Sequence, residues 1–186
     1  MKKQTRVIGF DDSPFTFEDE TVLLVGVLMR LPNYIEGVVS TRVDVDGVDS
    51  TDAIAECISH KFHSQPEAIM VDGAAVGGFN IIDLEELWKT TGIPVISITR
   101  DPPDVTSMET ALKKHFRDWE KRLGIVSKNR LFEVNTGHKP LHVSAWGLTE
   151  EEAKLLIGAN IVRGAIPECL RIAHIIARGV SGNCGD

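Results

Sequence analysis

Aspartates that close apolar runs are the residues of this chain best placed to do chemistry. Ala68–Val71 is a short continuous apolar run closed by Asp72 and then Gly73, in the string AIMVDGAAVGG. Arg6–Phe10 is another, closed by Asp11 and Asp12 in the string GFDDSPF. Such runs read as strands covered on both faces, and ligands of open α/β sheets gather beyond the carboxyl ends of such strands. A further group, Asp44, Asp46, Asp49 and Asp52, crowds the start of a predicted helix.

Carboxylates that converge in a poorly solvated cleft repel one another unless protons or cations intervene. Magnesium takes oxygen ligands, and paired metals can activate a water and stabilise the leaving oxygen of a phosphodiester. Asp11 and Asp72 would then be ligands, with Asp46, Asp49 or Asp52 as a third. Aspartate also caps turns and helices, and that use alone accounts for Asp49 or Asp52. The DVDG string lacks the glycine and glutamate spacing of a calcium loop, and the segment after Asp72 matches neither a dinucleotide fingerprint nor a phosphate loop. His174 shares a helix face with Arg171 and Arg178, which would suit an anionic substrate. Tyr34, at a turn, is either a half-buried aromatic or a stacking platform for a base. Lys113, Lys114, Arg117, Lys121 and Arg122 read as the solvated face of their helix. His60, His63, His115 and His142 show no constellation, and His138 reads as a hairpin residue.

Periodicity and breakers outline the elements that must position these residues. Thr21–Leu31 is apolar, Pro32 and Asn33 turn the chain, and Tyr34–Val45 alternates, so the first three strands form an antiparallel meander. Ile54, Ile58 and Phe62 mark a helix capped by Ser50 or Thr51. After the strand that ends at Asp72, a helix from about Asn80 carries Ile81, Leu84 and Trp88 and stops at Gly92 and Pro94. Pro94–Thr99 is a strand closed by Arg100. A capping box at Thr106 and Glu109 opens a helix whose stripe Met108, Leu112, Phe116 and Trp119 continues to Gly124. Leu131–Asn135 and Pro140–Ala145 form a hairpin, Thr149 and Glu152 cap another helix, and Pro167 opens the last one.

That order is the order of a ribonuclease H-like α/β fold: a mixed sheet in which an antiparallel meander leads into parallel strands, with helices on both faces. One domain over residues 1–186 is expected, with 180–186 as a frayed tail. In this topology the first and fourth strands are neighbours, so Asp11 and Asp72 would end side by side.

Twenty basic and 27 acidic residues give a net charge of −7, the wrong sign for gripping long nucleic acid, although a metal-dependent nuclease needs only a local basic rim. Three cysteines without ligand spacing point to a reduced, cytoplasmic protein. No signal peptide or membrane-spanning run is evident, so no membrane partner is expected.

Taken together, the strings IGFDDS, YIEGVVSTR, IMVDG, GIPVISITR, KPLHVS and RGAIPECLRIAHIIARG resemble, in order and spacing, endonuclease V, a metal-dependent nuclease of ribonuclease H-like fold. GFDDSPF, VDG and GGFN are similar to its mainly archaeal relatives, endonuclease dU. The resemblance implies that Asp11 and Asp72 bind metal, that Asp49 completes the site in place of a glutamate, and that His174 assists it. It implies that Tyr34 and Ile35, within NYIEG, are the wedge beside the lesion, with Glu36 where the family has proline. Gly73, Arg100 and Arg163 would meet nucleic acid. The implied cofactor is magnesium, replaceable by manganese. The implied partner is DNA with a deaminated base, deoxyuridine in preference to deoxyinosine, with RNA and the oligomeric state left open. Two other readings stand beside this one: a non-catalytic binding module for nucleic acid or protein, and a metal-dependent hydrolase of small phosphorylated compounds.

Overall fold

The structure, a computed structural model, describes residues 5–62 and 66–181; His63, Cys184 and most of the expected tail lie outside these residues, while Val180 still belongs to the last helix. Strands β1 (Arg6–Asp12), β2 (Thr21–Arg30) and β3 (Tyr34–Asp44) form the expected antiparallel meander. Helix α1 (Ser50–Lys61) then carries the chain over to β4 (Ala68–Asp72), which pairs parallel with β1. A small excursion containing β5 (Ala75–Val76) and β6 (Asn80–Ile81) precedes α2 (Leu84–Thr91) and β7 (Val95–Thr99), the latter parallel to β4. After α3 (Val105–His115) and α4 (Trp119–Ser127), the hairpin β8 (Phe132–Val134) and β9 (Leu141–Trp146) extends the sheet antiparallel to β7. Helices α5 (Glu150–Asn160) and α6 (Glu168–Val180) follow. The seven-stranded sheet has the order β3-β2-β1-β4-β7-β9-β8.

Alternation along the strands builds one apolar layer on each face of the sheet. Ile8, Phe10, Ile69 and Val71 pack with Ile54 and Ile58 of α1 and Leu84 and Leu87 of α2. Val7, Met70, Ile96 and Ile98 pack on the other side with Ala153 and Ile157 of α5 and Leu170, Ala173 and Ala177 of α6. Each large side chain so buried contributes roughly 1.5–3 kcal/mol.

Helix α1 has Asp49 at its N-cap rather than Ser50 or Thr51, and two further expected helices differ from those observed. Asn80 lies not in α2 but in β6, wholly buried, and the cap of α2 is Asp83, whose carboxylate accepts from the Glu86 amide at 3.2 Å. The long helix expected through Gly124 is two helices. Asp104, not Thr106, caps the first by accepting from the Ser107 amide at 3.0 Å. Phe116 then leaves the helix with φ −125° and ψ 131°, and its ring packs against Phe79 at 5.5 Å and beneath the Arg122 guanidinium at 4.3 Å. Tertiary aromatic packing overrides a local helical stripe at that position.

Candidate active site

The parallel register pairs Phe10 with Val71, so the next residues on each strand, Asp11 and Asp72, stand beside each other at the sheet edge. The alternation that buries Val7 and Met70 against α6 also turns Asp11 and Asp72 towards that helix. There His174 meets them: its Nδ1 lies 2.8 Å from the Asp11 Oδ2. Asp11 Oδ1 accepts from the Asp12 amide at 2.8 Å. Helix α6 comes this close because β1 has a glycine beneath it. A Cβ on Gly9 would stand 2.7 Å from both the carbonyl carbon and the Sγ of Cys169.

Asp12, the next residue, necessarily faces the other way. Its carboxylate accepts from the Gly77 amide at 2.6 Å, which ties the strand end to the excursion between β4 and α2. Asp46 secures the same excursion, donating its amide to the Gly77 carbonyl at 2.7 Å and accepting from the Phe79 amide at 2.8 Å. Arg122 is buried rather than solvated, and its Nη1 donates to the carbonyls of Gly47 at 2.9 Å and Phe79 at 2.6 Å. The expected solvent-facing cation is thus a stitch between the two loops that frame the carboxylates.

Burial is the main reason that the Asp11 carboxyl is pushed up to about 6, and the charges of Asp72 and Asp12 add to it, while the His174 hydrogen bond works against it. Asp72 is raised, again chiefly by burial, with the nearby Arg100 charge pulling it back. Burial raises Asp12 as well, opposed by the Gly77 amide. The carboxylates at these two neighbouring strand ends are therefore reluctant to carry full negative charge together.

The remaining predicted site residues fall elsewhere. Asp49 is not turned to this cluster; its carboxylate accepts from the Asn80 Nδ2 at 2.6 Å and from the Asp44 amide at 3.2 Å, which fastens the turn before α1 to β6. Asp52 is exposed on α1. Tyr34 and Ile35 are exposed, but at the opposite end of the sheet. Tyr34 pairs with Arg30, which pairs with Arg6 at the start of β1, whereas Asp11 pairs with Val25 and, through it, Ser40. The six residue steps of β3 from Tyr34 to Ser40 amount to about 20 Å of strand. Arg163 belongs to that far end too, three residues after Asn160, whose Nδ2 donates to the Pro32 carbonyl at 2.8 Å. Glu36, where the resembled family has proline, pairs with both Arg6 and Arg30, so it is a local ion pair at the same far end. Arg100 and Gly73 do stand at the carboxylate edge, Gly73 directly after Asp72 with its amide donating to the Ile98 carbonyl at 2.9 Å.

Behind Gly73, on the face opposite His174, lies a cavity of about 500 Å³. Its sheet floor carries Ser97, Thr99, His142 and Ser144, and Met108 and Leu131 are among its apolar walls. Sequence reasoning missed Asp12 as a site residue and His142 as a cavity residue. The doubled aspartate of GFDDSPF was the available signal for the first; none existed for the second.

Oxygen donors dominate the cluster, which suits a hard divalent cation. Among the described residues, no group of three His, Cys, Asp or Glu side chains is already gathered as a complete cage. Asp11 and Asp72, side by side on one face, offer such an ion two carboxylates whose mutual repulsion it would relieve.

Residues 3–181 match the family described as Endonuclease dU. The chain belongs to the endonuclease dU family. A relative from Methanothermobacter thermautotrophicus, described as a UPF0215 protein, is 40% identical over 184 residues, covering 97% of this chain and 90% of its own. Among solved structures, a protein of unknown function from Archaeoglobus fulgidus superposes with a TM-score of 0.83 at 31% identity, covering 94% of this chain and 96% of that one. Endonuclease V from Ciona intestinalis, in complex with DNA containing an inosine followed by a ribo-adenosine, superposes with a TM-score of 0.63 at 15% identity, covering 95% of this chain and 85% of that one. This endonuclease dU member therefore has the ribonuclease H-like fold of endonuclease V. Membership supports a nuclease activity. No helix among the described residues is long and apolar enough to cross a membrane.

Proposed function

We propose that this protein is a divalent-metal-dependent endonuclease that cuts a phosphodiester beside a deaminated base in DNA, with deoxyuridine preferred over deoxyinosine. The observation that carries the reading is the parallel pairing of β1 and β4, which sets Asp11 and Asp72 side by side on the face where His174 bonds to Asp11. Asp11 and Asp72 would hold magnesium or manganese, with Asp12 close enough to add a third charge. When bound, such an ion supplies a nucleophilic water at neutral pH and charge stabilisation at the leaving oxygen.

The chain's own residues do the rest. His174 keeps the Asp11 carboxylate in one orientation through Nδ1, and its half-exposed ring leaves Nε2 free for a substrate oxygen or a water. Arg100 brings a positive charge to the Asp72 side, where a scissile phosphate needs one. The cavity behind Gly73 is of a size for a small heteroaromatic ring, with apolar walls for its faces and the hydroxyls of Ser97, Thr99 and Ser144 for its polar edge. A base turned out of the stack enters such a pocket, and a damaged base costs least to unpair. The family name favours uracil as that base.

Matched duplexes carrying one deoxyuridine, one deoxyinosine or no lesion, incubated with the protein and magnesium, test this reading. Nicking of the deoxyuridine duplex in preference to the other two is expected. Equal cutting of all three would remove the lesion specificity, and no cutting of any would remove the proposed activity.

A further inference from the structure

The most exposed large apolar side chain among the described residues is Phe17, at 76%, in the loop between β1 and β2. That loop leaves directly from Asp11 and Asp12, and its shape is fixed. The Ser13 amide donates to the Leu23 carbonyl at 2.8 Å, and the Asp19 carboxylate accepts from both the amide (2.7 Å) and the hydroxyl (3.1 Å) of Thr16. Phe15, packed against the core, meets Phe17 edge-on with ring centroids 5.7 Å apart at 83°. Phe17 is thus an aromatic ring braced from behind and left open to water.

Its position adds a second observation. The Phe17 Cε1 lies 3.4 Å from where a Gly78 Cβ would stand, and the neighbouring Gly77 amide holds the Asp12 carboxylate. The ring therefore sits beside the loop that holds Asp12, next to the end of β1. Glu18, Asp19 and Glu20 follow it, so the loop repels phosphate and offers a nucleic acid only the ring. Tyr34, also exposed, stands at the far end of the sheet with the Arg30 guanidinium 5.0 Å over its ring.

We infer that Phe17 is the base-stacking residue of this site, receiving an unpaired nucleobase near the strand ends at which Asp11 and Asp72 would hold the metal. This inference rests on the nuclease reading. Every base has a π-face, so the contact is tolerant of sequence and independent of phosphate charge.

Binding of a fluorescein-labelled single-stranded oligonucleotide containing deoxyuridine, followed by anisotropy in EDTA, separates the two claims because no cleavage is required. Phe17→Ala should weaken binding by about 5- to 150-fold. The fold-change should be the same at low and high salt, since stacking releases no counterions, whereas Arg100→Ala should lose its effect as salt rises. Phe17→Trp should retain affinity and show tryptophan quenching on binding. Unchanged affinity in Phe17→Ala, or full affinity in Phe17→Leu, which keeps apolar area without a π-face, would overturn the stacking role while leaving the nuclease intact. Absence of oligonucleotide binding by the unsubstituted protein, with or without magnesium, would overturn both.

Discussion

His174 and Asp11 touch at 2.8 Å although 163 residues of chain separate them. The contact depends on α6 lying against β1 at Gly9, where there is no side chain to hold it off. A single absent methyl group thus connects helix packing to the orientation of a candidate metal-binding carboxylate.

Gly9→Ala should therefore act at a distance. The added Cβ would meet Cys169, including its backbone, so α6 must shift, at a cost of about 1–3 kcal/mol for overpacking. We expect a lowered Tm and a drop in kcat, with folded protein by circular dichroism. Wild-type kcat in a Gly9→Ala variant would show that the helix position does not matter to the site.

The sign of the pH effect follows from burial and repulsion. With a folded value of about 6 against an ordinary 3.8, Asp11 contributes stability that is fully present below about pH 4 and is lost as pH rises through 6. The loss is on the order of 2–3 kcal/mol for this largely buried group. Metal-free protein should therefore melt at a higher temperature near pH 5 than near pH 7.5. Asp72→Asn should narrow the gap, because the Asp72 charge is one cause of the shift. An unchanged gap in that variant would separate the two carboxylates electrostatically.

Manganese or magnesium should raise the Tm of the unsubstituted protein at neutral pH by relieving the same repulsion, since a ligand that binds only the folded state stabilises it. Asp72→Asn should abolish most of that rise. An equal rise in both proteins would place the ion elsewhere.

Asp49→Ala should behave as a structural variant. Its carboxylate is engaged by Asn80 and the Asp44 amide, so its removal should cost about 1–3 kcal/mol of stability. Metal affinity should be retained below the lowered melting temperature. Loss of metal binding in well-folded Asp49→Ala would restore Asp49 as a ligand.

Much of this arrangement was legible in the sequence for a physical reason. Apolar runs that stop at aspartate mark both a buried strand and its polar end, so the approach of Asp11 to Asp72 followed from strand order. The rest turned on partners that no local pattern reveals. Asp49 is an aspartate before a helix, a residue type that serves equally as cap or ligand, and only the position of Asn80 shows what it holds. Tyr34 sits in a string similar to the wedge of endonuclease V, and hairpin register, which depends on pairing rather than on composition, places it at the end of the sheet away from Asp11 and Asp72. Arg122 lies at a helical spacing that suits solvent, but the carbonyls of Gly47 and Phe79 claim it.

Single-turnover cleavage of a deoxyuridine duplex by the unsubstituted protein and by Asp72→Asn, at saturating magnesium, bears most directly on the central claim. Loss of at least about a thousandfold in the rate, with the variant as folded as its parent, is the result predicted for removal of a charge that holds the catalytic ion. Cleavage by Asp72→Asn at a rate near that of the parent would contradict the assignment of the β1 and β4 strand ends as the active site.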